Sequence, residues 1–289
     1  MPSDGTYRTI CTLCHSGCGI IVEVKNGRMV SLKPDEQHPS NRRYLCRKSA
    51  AIEELSTSPD RLRQPLKRHG DSFVPISWDE AYAFAAENLS RILDKYGPDG
   101  VMRCSGAPVS YDARDGFNYL MRVMGSANAT GSSTYCMVPR VTAFVNAIGG
   151  KPEPDFDNAD YIILWGSNPK ATNRLGGYCA FDGIQMVLDR ARKRGVRIVF
   201  IDPVKCESIK DGDIWVKVKP GTDVVLTMGM LRHIINKGLY DHDFVENYTI
   251  GFDELKAGVQ KFTPEYTETV TGKYRRNDAL SLLRVCYER

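Results

Sequence analysis

Three thiols stand within the eight residues Cys11-Thr-Leu-Cys14-His-Ser-Gly-Cys18, and a fourth, Cys46, follows in Arg-Arg-Tyr-Leu-Cys-Arg-Lys. Structural zinc usually takes two cysteine pairs, each on its own knuckle. Cys-x2-Cys-x3-Cys with one remote cysteine suits a cuboid iron-sulfur cluster, in which one tight loop binds three corners and a distant residue the fourth. Gly17 and Gly19 flank the third thiol and would let the backbone turn closely around a bulky core. Zinc and unliganded thiols are the competing readings, and His15 inside the loop reads as incidental. Charge supports the cluster, because Arg42, Arg43, Arg47 and Lys48 surround the remote thiol and a thiolate-bound cube carries net negative charge. One cation at about 8 Å and an effective dielectric near 20 contributes roughly 2 kcal/mol, about 90 mV for a one-electron couple. A solvated basic turn is the plain alternative.

Composition narrows the class. Apolar residues make up 42% and charged residues 26% of the 289, which is globular and long enough for one large or two medium domains. A formal charge of +4 without a long basic run gives no reason to expect nucleic acid as a partner. Nine cysteines, an odd number, follow an opening without a signal pattern or twin arginine. That argues against a disulfide framework and for metal or redox chemistry. No apolar run approaches the roughly 20 residues that cross a bilayer, so direct membrane insertion is not expected and a cytoplasmic location is. The closing Asn-Asp-Ala-Leu-Ser-Leu-Leu-Arg-Val-Cys-Tyr-Glu-Arg reads as a helix cut near its last turn, as in a fragment.

The elements that must position these thiols follow from periodicity. Residues 7–33 read as short strands, with an Asn26-Gly27 hairpin turn between alternating apolar runs. Ser77 and Glu80 form a capping-box pattern ahead of a helix with apolar residues at 78, 82, 85, 89, 92 and 96, stopped at Gly97-Pro98. A strand at 100–106 and a second helix at 113–125 follow. Residues 159–169, 183–195 and 196–203 then read as strand, helix closed by Gly195, and strand: a βαβ crossover in a parallel sheet. A further strand at 213–218 leads through Lys219-Pro-Gly-Thr-Asp223 into a helix. Three turns thus leave the carboxyl ends of neighbouring strands, where doubly wound sheets bind ligands. The Gly-x-Gly-x-x-Gly fingerprint of a nicotinamide site is absent. The expected fold is α/β: an iron-sulfur domain over 1–58, small and β-rich, then a doubly wound, Rossmann-like parallel-sheet region. That region divides into a first α/β part over 59–130 and a dinucleotide-binding domain over 131–289, truncated at its end.

Taken in order, the four-cysteine pattern, Cys-Arg-Lys-Ser-Ala, Trp-Gly-Ser-Asn-Pro, Ile-Asp-Pro and Lys-Pro-Gly-Thr-Asp resemble the amino-terminal part of a molybdopterin oxidoreductase of the dimethyl sulfoxide reductase superfamily. The resemblance implies a 4Fe-4S cluster on Cys11, Cys14, Cys18 and Cys46, with Lys48 lying between cluster and pterin. It implies molybdenum or tungsten bis-molybdopterin guanine dinucleotide, bound by Gly166, Ser167 and Asn168, by Asp202 and Pro203, and by Gly221, Thr222 and Asp223. Backbone N–H groups at strand ends suit phosphates, and the Asp223 carboxylate suits a guanine edge. Each turn taken alone is also a plain strand-to-helix connection. Cys136, before an apolar helix, matches the protein ligand to the metal, a soft thiolate suited to it; buried packing is the plain alternative. The family's later domain and final β-barrel are absent. Met137 stands where formate dehydrogenases place histidine, and Val204 and Cys206 replace the usual arginine and hydroxyl residue. Cys104, Cys179 and Cys286 match no role. The implied function is a redox catalytic subunit, or its amino-terminal fragment, acting on a small molecule or oxyanion and partnered by an iron-sulfur electron-transfer subunit. An electron-relay subunit without molybdenum and a non-redox hydratase on the same cofactor are the alternatives.

Overall fold

Asn26 and Gly27 both take left-handed backbone angles (φ 50° and 69°), the pair of values that a two-residue turn between twisted strands requires. They join β2 (Gly19–Lys25) to β3 (Arg28–Pro34), and β1 (Gly5–Ile10) pairs antiparallel on the other side of β2. Alternation along β2 sends Ile20, Val22 and Val24 to one buried face. There they pack with Cys11 and Cys18, and Leu13, Met29, Leu32, Leu45 and Ile52 close the cluster.

The computed structural model describes residues 3–14, 17–39, 45–106, 111–152, 154–172 and 184–272. The chain divides into two compact units, Met1–Pro154 with Gly176–Gly183, and Asp155–Leu175 with Ile184–Arg289.

In the first unit, α1 (Arg47–Ala50) and α2 (Ile52–Thr57) follow the sheet, and a hairpin of β4 (Leu66–His69) and β5 (Ser72–Pro75) leads to α3 (Trp78–Tyr96). The predicted cap forms by half: Ser77 Oγ accepts from Glu80 N–H at 3.1 Å, while the Glu80 carboxylate lies 3.6 Å from Lys67 Nζ. The expected apolar stripe of α3 is not buried; Trp78, Tyr82 and Tyr96 stay exposed. Strand β6 (Arg103–Ser105), helix α4 (Tyr111–Val123) and strand β7 (Ala129–Gly131) form a parallel crossover that periodicity had shown only as strand and helix. Helix α5 (Met137–Ile148) completes the described part of this unit.

The second unit is built on the expected βαβ crossover. Strand β8 (Tyr161–Trp165) is followed by the short helix α6 (Pro169–Thr172), then α7 (Ile184–Lys193) and β9 (Arg197–Ile201); β10 (Ile214–Val216) pairs on the far side. The order β10-β9-β8 is parallel throughout. β9 is central, and Ile198, Val199, Phe200 and Ile201 are at most 1% exposed, the continuous apolar run expected of a strand covered on both faces. Helices α8 (Asp223–Asn236), α9 (His242–Tyr248), α10 (Phe252–Gly258) and α11 (Pro264–Thr271) follow, with Leu226 of α8 in the core beside Val199, Ile201, Val216 and Val218. The closing helix expected over 277–289 lies outside the described residues, and no described helix is long and apolar enough to cross a membrane.

Among the described residues Phe200 is the largest side chain with no exposed surface, so Phe200→Ala should cost about 3–5 kcal/mol in denaturant unfolding. Ser77→Ala, which removes only a cap, should cost about 1 kcal/mol.

Candidate functional site

Cys11, Cys14 and Cys18 occupy the loop between β1 and β2, and Cys46 stands immediately before α1. The loop is closed at its base by Cys11 N–H donating to the Cys18 carbonyl at 2.8 Å, so the first and third thiols start from one backbone ladder. Gly17 carries φ 55° with open space where a side chain would stand, as a tight turn demands. Gly19 owes its identity to something else: the His38 ring lies where a Cβ would go. On the remote side, Ser49 Oγ donates to the Cys46 carbonyl at 2.8 Å and is itself buried, fixing the turn that carries the fourth thiol.

The surroundings of Cys11 act on its charge. Burial pushes the Cys11 thiol above its ordinary range, against an opposing hydrogen bond from the Leu13 backbone; the sulfurs of Cys14 and Cys46 raise it further, and the Lys48 ammonium lowers it. Two other thiols and one cation are thus near enough to Cys11 to act on its charge. Three of the four sulfurs are buried and Cys14 is half-buried. Among the described residues, no three His, Cys, Asp or Glu side chains close to the spacing of a single metal ion. A soft, all-thiol donor set in a three-plus-one pattern fits an iron-sulfur cluster. Arg42, Arg43 and His15 lie outside the described residues.

Cys136 follows a short turn at Ser132–Tyr135 and stands at the amino end of α5, exposed and making no cap hydrogen bond. Met137 accepts a hydrogen bond from Arg140 at 3.5 Å. Cys104 is exposed and Cys206 half-buried, whereas Cys179 and Cys286 lie outside the described residues.

In the second unit the three sequence-predicted turns meet at one edge of one sheet. Gly166 N–H donates to the Ile201 carbonyl at 2.9 Å, and Asp202 N–H to the Val216 carbonyl at 3.1 Å, so β8, β9 and β10 end side by side. Trp165 Nε1–H donates to Asp223 Oδ1 at 2.7 Å, which ties the end of β8 to the start of α8. Trp215 Nε1–H donates to the Asp202 carbonyl at 2.9 Å, and Asp202 Oδ1 accepts from Val204 N–H at 2.8 Å. Val204 thus meets the Asp202 carboxylate through its backbone N–H. Ser208, fully buried, donates to Asn168 Oδ1 at 2.6 Å and accepts from Lys170 N–H at 2.8 Å. Arg192 grips the Ser208 carbonyl at 3.1 Å and the Asp213 carboxylate at 2.6 Å. Ser208, Trp215, Arg192 and His38 went unnoticed in the sequence because every one of these contacts is long-range. Trp165 carried a signal: an indole N–H at the end of a buried strand requires a partner.

With the cluster absent, iodoacetamide at pH 8 should label exposed Cys136 and Cys104 well before Cys11. Because the folded Cys11 thiol titrates higher than its unfolded counterpart, its contribution to stability is present below the unfolded thiol pKa of about 8.5 and fades as pH rises beyond it. Labelling followed by peptide mass spectrometry, and melting at pH 7 and 10, check both statements.

Comparison with known proteins bears on both units. The family profile for the molybdopterin oxidoreductase Fe4S4 domain matches residues 5–57, and that for molybdopterin oxidoreductase matches residues 61–273. The F420-dependent formate dehydrogenase subunit alpha of Methanocaldococcus jannaschii is 33% identical over 273 residues, 91% of this chain and 38% of that protein. Nitrate reductase of Symbiobacterium thermophilum is 29% identical over 283 residues, 92% of this chain and 36% of that protein. The solved structure of acetylene hydratase from Pelobacter acetylenicus superposes with a TM-score of 0.76 at 29% identity, over 96% of this chain and 38% of that one. The chain therefore spans little more than a third of the length of these relatives. Two adjoining profiles, in the order of the two sites just described, settle the family: the chain belongs to the molybdopterin oxidoreductases and carries their Fe4S4 domain at its amino-terminal end.

Proposed function

We propose that this chain is the cluster-binding and dinucleotide-binding part of the catalytic subunit of a molybdopterin-dependent oxidoreductase. The observation that carries the reading is the cysteine loop closed from Cys11 N–H to the Cys18 carbonyl on the apolar face of β2, with Leu45, next to the buried Cys46, packed against the same cluster. Cys11, Cys14, Cys18 and Cys46 would hold the 4Fe-4S cluster within residues 1–58, residues 59–130 would form the first part of the α/β region, and residues 131–289 would hold the pterin dinucleotide and metal. When bound, the cofactors supply two-electron chemistry at the metal and one-electron exchange at the cluster. The chain's own part is to hold and tune them. Apolar side chains of β2 exclude water from the sulfurs, the Lys48 ammonium favours the more negative, reduced state, and Cys136 presents an exposed thiol as metal ligand. The turns at 166–168, 202–203 and 221–223 would line the dinucleotide, with the Ser167 and Gly221 N–H groups toward its phosphates and the Asp223 carboxylate accepting from a guanine edge. A small molecule or oxyanion is the proposed substrate class, and an iron-sulfur electron-transfer subunit the proposed partner. The alpha-subunit designation of the formate dehydrogenase relative supports a multi-subunit setting.

A non-redox hydratase on the same cofactor is the second reading, favoured by the likeness to acetylene hydratase. Turnover separates the two: the oxidoreductase consumes substrate only with an electron acceptor or donor, and the hydratase turns over without one. Metal analysis of full-length protein should find four irons per chain together with molybdenum or tungsten; iron alone would leave an electron-relay subunit and defeat the catalytic reading. Lys48→Ala should lower the cluster midpoint potential by tens of millivolts in a redox titration, because removal of a nearby cation disfavours the reduced state. An unchanged potential would exclude this role for Lys48.

A further inference from the structure

Trp165 differs from the other site residues in being fixed by the core and directed at a carboxylate. Its ring packs against the cluster of Val199, Ile201, Val216, Val218 and Leu226, which holds the direction of its Nε1–H. That N–H donates to Asp223 Oδ1 at 2.7 Å. Asp223 is the first residue of α8, where the helix dipole favours a carboxylate without selecting its rotamer. The Trp165 hydrogen bond does select it, since a charge-assisted bond from a rigid donor has one preferred geometry. A carboxylate offers about four acceptor positions across its two oxygens, and the indole takes one. The others are left in a fixed plane, the arrangement that a planar pair of parallel donors needs.

We propose that Trp165 is a positioning residue for base recognition: its indole N–H sets the plane of the Asp223 carboxylate so that both oxygens accept from the paired N1–H and 2-amino donors of a guanine. This rests on the reading of Asp223 as the base-recognising group. Trp215 makes a parallel arrangement with Asp202, but its indole donates to the backbone carbonyl and so fixes the turn, not a side chain.

The test compares guanosine diphosphate with inosine diphosphate, which lacks the 2-amino group, by calorimetric titration of cofactor-free full-length protein. Wild type should favour the guanosine nucleotide about tenfold, and Trp165→Phe, which keeps the ring and deletes the donor, should bring the ratio close to one without changing inosine diphosphate affinity. Asp223→Asn should also abolish the preference, and the double variant should be no worse than Asp223→Asn alone, because the two residues act through one contact. A preference retained in Trp165→Phe overturns the proposal while leaving the nucleotide site intact. A wild type that binds neither nucleotide, or both equally, overturns the reading of Asp223 and this inference with it. Should Trp165→Phe fail to fold, the wild-type indole N–H resonance of Trp165 gives the same test: it shifts on addition of guanosine diphosphate, and a stationary signal overturns the proposal.

Discussion

One backbone hydrogen bond, from Cys11 N–H to the Cys18 carbonyl at 2.8 Å, governs the chemistry of the first unit. It closes the cysteine loop as an extension of the β1–β2 ladder, so the entropy of bringing the first and third thiols together is offset by sheet formation. β2 supplies the apolar floor on which both sulfurs sit. The same floor makes a bare thiolate unfavourable there, which is why burial raises the Cys11 thiol and why a cation such as Lys48 at the rim matters. A site built this way favours a cofactor that shares its negative charge over many atoms.

The second unit solves a different problem by related means. Turns at strand ends expose backbone groups whose direction the rest of the fold must hold. Here each turn is held from behind. Ser208 and Arg192 hold the turn at 166–168, Trp215 holds the turn at 202–203, and Trp165 reaches Asp223. The bidentate pair of Arg192 with Asp213 is nearly buried on the carboxylate side, and a pair of that kind is valued more for the geometry it imposes than for net stability. The loop between β9 and β10 is therefore a frame for its neighbours.

Relatives named for formate oxidation, nitrate reduction and acetylene hydration share these same stretches with this chain. A frame common to all three reactions cannot select among them. Selection belongs to side chains around the metal, the place proposed above for Cys136. Met137, beside it in sequence, accepts a hydrogen bond from Arg140 through its thioether.

The sequence by itself determined what depends on near neighbours. The Asn26-Gly27 hairpin, the Ser77 cap, the Gly195 stop and the crossover from β8 to β9 are set by backbone preference and period, and each was legible. So was the three-plus-one spacing of the cysteines, because a loop of eight residues restricts where its thiols can point. Tertiary structure alone decided the rest. The pairing of β6 with β7, Ser208 behind Asn168, His38 against Gly19 and Trp165 on Asp223 join residues far apart in the chain. No local propensity encodes such contacts; they exist because parallel strands must end together, and whatever lies at their common edge is brought into reach.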